Sequence, residues 1–205
     1  MAVRVITCVG SAVSPHLEDL ARLRIAVFRD YPYLYEGDVG YERNYLSAYA
    51  NSPRSIFVLA FDGDTVVGAS SGIPLTDDGE AFQQPFRECG MSIDEVFYFG
   101  ESVLLNTYRG QGVGHRFFDE REAHARRLGG FQWTAFCAVE RDINDLRCPS
   151  DYRANDVFWR KRGYQRQETM FCRLNWKEAG NAEPTSHQLR FWLRSLDDRS
   201  ERSEG

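Results

Sequence analysis

Long apolar runs are missing from this 205-residue chain. Nothing approaches the 18 consecutive apolar residues that a membrane-spanning helix needs, so no membrane partner is expected. A strong excess of one charge is missing too. Lys plus Arg (25) against Asp plus Glu (30) leaves a net charge of −5. A mildly acidic chain lacks the clustered cations that neutralise a phosphate backbone, which excludes a general nucleic-acid binder. Cysteine pairs are absent. Cys8, Cys89, Cys137, Cys148 and Cys172 are odd in number, scattered and free of any C-x-x-C spacing. That pattern is neither a disulfide framework nor a zinc site, and most of these thiols are expected to pack as small core hydrophobes. A secretory leader is not evident: Arg4 interrupts the apolar start, and Val3, Val5 and Val9 fall on odd positions, as in a strand. The expected compartment is the cytoplasm.

What is present suits one globular domain over residues 1–196, followed by a polar tail over 197–205. Apolar residues make up 42% and aromatics 14%, enough for a sizeable core. Strands are expected at 3–9, 55–61, 65–70, 97–105, 131–139, 168–176 and 187–196, with Asp62-Gly-Asp64 as the turn of a hairpin. Helices are expected after Ser14-Pro15, with Ser14 as N-cap, at 40–50, at 113–128 and at about 155–162. Residues 74–94 form an irregular excursion with a short helix near 80–90. The order is a mixed α/β (α+β) layer structure, one sheet of about seven strands with about four helices over it.

The densest chemical signal is Arg109-Gly110-Gln111-Gly112-Val113-Gly114, between a strand and a helix. The first N–H groups of a helix have no partners within it, and its dipole adds positive potential. Glycines let the chain turn sharply and let a phosphate approach the backbone. The turn is therefore an anion cradle in an otherwise acidic protein. It is not a nucleotide-triphosphate P-loop, because His115-Arg116 stands where G-K-S/T is required. It is a poor dinucleotide fingerprint, because His115 occupies the third glycine position and the motif follows the fourth strand, not the first.

A third pattern, R/Q-x-x-G-x-G/A after a strand and before a helix, is matched by Arg109, Gly112 and Gly114. With Leu104-Leu-Asn-Thr-Tyr-Arg-Gly-Gln-Gly-Val-Gly114, the chain resembles the GCN5-related N-acetyltransferases (GNAT), whose signature reads V-x-P-x-Y-R-G-x-G-x-G. Asn106 replaces the usual proline. The element order resembles that fold over about residues 3–196, including the closing hairpin and a helix that ends in Gly163-Tyr164. The resemblance implies a mixed, mostly antiparallel sheet and acetyl-CoA as co-substrate. It places the pyrophosphate on backbone N–H groups of Gly110, Gln111, Gly112, Val113, Gly114 and His115, beside Arg109. It pairs the pantetheine arm with Ser102, Val103 and Leu104, next to a bulge that splays this strand from its neighbour, and sets Trp159 beside the arm.

The reaction implied is direct transfer of an acetyl group to a primary amine of a small molecule or peptide. The resemblance makes Glu101, on the strand before the glycine turn, the candidate base; its neighbours Phe97, Tyr98 and Phe99 are apolar, and burial would raise a carboxylate's pKa towards a useful range. A strand-edge Glu satisfied by an Arg is the competing possibility, and Glu95 is the second choice. Relatives use a tyrosine as proton donor to the leaving thiolate, at the position that Trp159 fills here. An indole N–H cannot give up a proton at neutral pH, so Tyr152, Tyr164 or a water become the candidates. The resemblance places the acceptor against the loop after the first helix, where Tyr31, Tyr33, Tyr35 and Glu36 would bind it through aromatic faces and a carboxylate; tyrosines that only pack the loop down are the competing possibility. No metal is expected: His115/Asp119 and Glu120/His124 have helical i, i+4 spacing that usually marks solvated pairs. Cys137 is the rival nucleophile. A non-catalytic acyl-CoA sensor, a larger acyl donor and a homodimer all stay open.

Overall fold

Ile56–Asp62 (β2) carries apolar side chains at nearly every position, and its place in the sheet explains why. It lies between Arg4–Val9 (β1) and Thr65–Pro74 (β3), antiparallel to both. Its alternate residues feed two separate cores: Phe57, Leu59 and Phe61 one, Ile56, Val58 and Ala60 the other. A strand covered on both faces needs no polar alternation. The computed structural model describes residues 3–197; beyond Asp197, the expected polar tail lies outside the described residues.

The remaining strands are Val96–Tyr98 (β4), Ser102–Leu104 (β5), Trp133–Val139 (β6), Gln165–Trp176 (β7) and Thr185–Ser195 (β8). The sheet runs β1-β2-β3-β4-β6-β8-β7, with β5 attached to β3. Every pairing is antiparallel except β4 with β6. Leu17–Phe28 (α1), Val39–Asn51 (α2) and Glu80–Glu88 (α3) contribute to the core containing Leu59. Val113–Leu128 (α4) and Asp156–Lys161 (α5) pack on the opposite side, against Phe97, Phe99 and Phe136. Among the described residues no helix is long and apolar enough to cross a membrane.

The mixed sheet flanked by helices is as expected, with two refinements in count. The strand expected over 97–105 is broken, giving eight strands, and the short helix expected near 80–90 is present as α3, giving five helices. One local expectation fails. Ser14 does not cap α1; its hydroxyl donates to the Ser11 carbonyl at 2.7 Å inside a 3-10 turn over Gly10–His16 that precedes the helix. Pro15 belongs to that tighter turn.

Candidate active site

The broken strand creates the site. β4 is hydrogen-bonded on both edges, to β3 and to β6. The Phe99 N–H still reaches the Ala135 carbonyl at 2.8 Å. After Phe99 the chain turns towards β3: the Gly100 N–H donates to Ser71 O (3.2 Å) and the Ser71 N–H donates to Glu101 O (3.1 Å). A Cβ on Gly100 would lie 2.7 Å from both the Ser71 and the Tyr49 hydroxyls, so only glycine fits this bend. β5 then pairs with β3 alone, while β6 runs on through Phe136 to Val139. The edges of β5 and β6 diverge from an apex at Phe99 and bound a slot with unpaired strand-edge groups.

The slot opens onto the glycine turn. Gly110 (φ 76°) and Gly112 (φ 81°) both take left-handed backbone conformations, and Gly112 directly precedes α4. A Cβ at either would meet nothing within 4 Å. The glycines are thus demanded by backbone conformation, and the space over them is open. Among the described residues, no N–H of 110–115 donates to a backbone carbonyl or a side chain; the first donor is Arg116, to Gly112 O. Six consecutive free donors at a helix start make the anion cradle.

Turn and slot share a cleft of about 1010 Å³. Its lining includes Ser102, Leu104, Arg109, Gly110, Gly112, Gly114 and His115 on one side and Phe136 to Val139 on the other. Trp159 lines it too, packed edge-on against Phe136 (5.0 Å) and Trp192 (5.1 Å). Val103 is fully buried in the core and does not line the cleft; Glu101 O and the Leu105 N–H, in phase with it along the strand, both bond to β3, so the slot is faced by Ser102 and Leu104. Gln111 and Val113 contribute main-chain N–H groups to the cradle.

The two candidate proton donors separate. Tyr152 lines the cleft, its ring edge-on to Tyr31 at 4.7 Å, and burial raises its hydroxyl above the ordinary value, so it keeps its proton at neutral pH. Tyr164 does not reach the cleft. Its hydroxyl is buried between Thr134 Oγ1 (2.9 Å) and Glu122 Oε1 (3.2 Å), where it belongs to a network with Arg162 and Arg194. The Gly163 turn that ends the short helix points this ring into the core, not across the slot.

Glu101 stands at the slot's apex, 8% exposed. Its environment is not simply apolar. Arg24 Nη1 donates to Glu101 Oε2 at 2.6 Å, while Arg24 Nε donates to the buried Glu42. The Tyr35 hydroxyl donates to the other Glu42 oxygen at 2.7 Å, and Tyr45 lies 3.5 Å from Glu101. Burial alone would favour neutral Arg24, but the Glu101 and Glu42 carboxylates outweigh it and hold the guanidinium well above its ordinary value. The result is a Glu101–Arg24–Glu42–Tyr35 chain behind the apex. Glu95 is remote from it, its carboxylate taken by Gln132 Nε2 at 2.8 Å.

The acceptor loop divides likewise. Tyr31 and Tyr33 line the cleft. Burial, with the Cys148 thiol beside it, pushes the Tyr31 hydroxyl up to about 12. Tyr35 instead serves the ion-pair chain, and Glu36 points outward to Lys177 at 3.3 Å. Cys137 is not simply a core residue: it lines the cleft, 3.1 Å from the Tyr98 hydroxyl and 3.9 Å from Cys172 Sγ. Burial raises its thiol well above the ordinary value, which opposes a nucleophilic thiolate. His124 Nε2 contacts the Arg54 carbonyl at 2.9 Å, and Asp119 is ion-paired with Arg162 at 2.8 Å.

No family model matches the sequence, and no curated protein matches it. Solved structures do. A GNAT-family acetyltransferase from Staphylococcus aureus Mu50 superposes with a TM-score of 0.61 at 13% identity, covering 95% of this chain and 99% of that one. This is the GNAT fold. The GNAT fold also relates the chain to yncA from Salmonella typhimurium, solved with its cofactor acetyl-CoA (TM-score 0.58, 11% identity, 98% and 97% covered). A ribosomal-protein-alanine N-acetyltransferase from Brucella melitensis shares it as well (TM-score 0.57, 14% identity, 95% and 99% covered).

Within this GNAT fold, Arg24 and Glu42 behind the apex and Arg121 in the cleft lining are residues that motif reading does not find. Each had a faint signal. Arg24 sits in phase with Leu20, Val27 and Phe28 on the apolar stripe of α1, and Arg121 lies between Phe117 and Ala125 on that of α4. A cation on a core-facing stripe demands partners from elsewhere in the chain.

Proposed function

We propose that this protein is an N-acetyltransferase that moves the acetyl group of acetyl-CoA onto a primary amine by direct attack. The observation that carries this is the cradle of free N–H groups at 110–115 opening into the slot between β5 and β6. A diphosphate fits the cradle by charge and by hydrogen bonding. The pantetheine amides find strand-like partners on the free edge of Ser102 to Leu104. That arrangement aims the thioester at the apex, beside Glu101. The amine attacks the thioester carbon, the C–N bond forms as the C–S bond breaks, and the electron pair stays on sulfur. Glu101 takes the amine proton, directly or through one water, with Arg24 fixing its carboxylate. Tyr152 is the proton source for the sulfur. Tyr31 and Tyr33 form the aromatic wall for a small-molecule or peptide amine.

Release of free thiol from acetyl-CoA across a panel of amines tests this. At least one amine should give turnover above the background of acetyl-CoA hydrolysis. Glu101→Gln should lower kcat about 10- to 100-fold while CoA affinity stays within about threefold. Unchanged kcat would remove Glu101 from the chemistry. Trp159, in place of a proton-donating tyrosine, favours a second reading: a protein that binds acyl-CoA without transferring the acyl group. Tight CoA binding without turnover on any amine would select it. Comparison of acetyl-, propionyl- and succinyl-CoA separates a larger acyl donor from either.

A further inference from the structure

Arg121 is the most deeply buried cation of the cleft. It projects from α4 at 1% exposure, yet it belongs to the lining. Its four hydrogen bonds all go to neutral acceptors: Nε to Phe117 O (3.0 Å), Nη1 to Ser71 O and Glu101 O (both 3.2 Å), and Nη2 to Ser102 Oγ (2.9 Å). Its guanidinium carbon lies 4.0 Å from the Phe99 ring centroid and 4.8 Å from that of Phe118. Among the described residues no carboxylate comes within ion-pair distance of it. The nearby carboxylates are engaged by other arginines: Glu101 by Arg24, and Glu122 by Arg162 and Arg194.

The acceptors are as telling as the charge. Ser71 O and Glu101 O also accept the Gly100 and Ser71 N–H groups at the strand break, and Ser102 opens β5. Arg121 therefore joins β3, the bend and β5 at the point where the slot closes. A guanidinium with no paired anion, held against aromatic faces away from water, keeps much of its field. Burial pushes it only down to about 10, so it carries its charge at neutral pH.

We propose that Arg121 is a positioning and electrostatic residue of the transfer reaction: it holds the slot open at its apex and stabilises the thiolate that leaves there. This rests on the acyl-CoA reading of the cleft. The leaving sulfur keeps the electron pair of the broken C–S bond, and Arg121 supplies a fixed positive charge behind it before protonation by Tyr152 or solvent. A proton-donating tyrosine at position 159 is then dispensable.

The test is the ionisation of the thiol of CoA itself, bound to the wild-type protein and followed by thiolate absorbance against pH, with binding measured separately by calorimetry. The bound thiol should ionise at least about tenfold more readily than in free CoA. In Arg121→Gln that advantage should vanish, and kcat should fall about 10- to 100-fold with acetyl-CoA KM within about threefold. Arg121→Lys keeps the charge and should recover most of the thiol effect. A wild-type bound thiol no more acidic than in free CoA overturns the proposal even if the glutamine variant fails to fold. So does a folded glutamine variant with an unaltered thiol and kcat. Absence of any CoA binding to the wild type overturns the cleft assignment instead, and the two failures are distinct.

Discussion

The two ends of the cleft are built on opposite principles. The glycine turn at 110–115 is exposed backbone, with two left-handed glycines, six N–H groups without internal partners and open space above them. The apex at Phe99 to Ser102 is buried side chain: Arg24, Glu42, Glu101 and Arg121, each fixed by two or more polar contacts. The turn leaves its polar groups free for a ligand to satisfy. The apex satisfies its own before any ligand arrives. Under the proposed function, binding falls to a region that adds little to folding, and chemistry to one whose rigidity is part of the core.

Stability measurements should show that division most strongly. Arg24→Met strands two buried carboxylates and is expected to cost about 3–5 kcal/mol in urea unfolding. A loss below about 1 kcal/mol would mean that the apex is not held by its ion pairs. At the other end, Gly112→Glu puts a side chain and a negative charge into the cradle at φ 81°. It should weaken CoA binding at least about 100-fold, about 2.7 kcal/mol, while costing the fold only about 1–2 kcal/mol for the left-handed conformation. Equal CoA affinity in the two proteins would take the phosphate away from this turn.

The smallest effect lies on the cleft wall between the two ends. Burial works against the Glu140 carboxylate, but hydrogen bonds from Arg190, Gln188 and Arg166 outweigh it and bring the group down to about 2. A lowered carboxylate pKa stabilises the fold above the unfolded-state value, and that contribution disappears as pH falls through the folded-state value. Glu140→Gln should therefore cost about 1 kcal/mol at pH 7, a figure reduced for the solvent that reaches the cluster. The difference from wild type should shrink between about pH 4.5 and pH 2. Urea midpoints at pH 7 and pH 3 measure it, and a gap that widens with acid would reverse the assignment.

The same division decides what the chain discloses before it folds. The turn is legible because its conformation is local: glycines at alternate positions before a charged helix state both the bend and the free donors. The helix expected at 113–128 has those bounds. The apex is not legible, because Arg24 and Glu101 are 77 residues apart and Glu42 comes from a second helix. Phe97 to Leu105 also reads as one apolar strand, and its break at Gly100 follows from contact with Ser71 and Tyr49, which no local window contains. Tyr164 and Tyr35 show the limit of residue type as a guide. Each is a tyrosine placed near the cleft by sequence, and each spends its hydroxyl on a buried carboxylate.

Backbone amide resonances of residues 110–115, followed in a 15N-labelled sample as acetyl-CoA is added, test the central claim most directly. Large, saturable shifts at Gly110, Gly112 and Gly114, absent in Gly112→Glu, are the predicted result. Saturation with those six amides unmoved would contradict it.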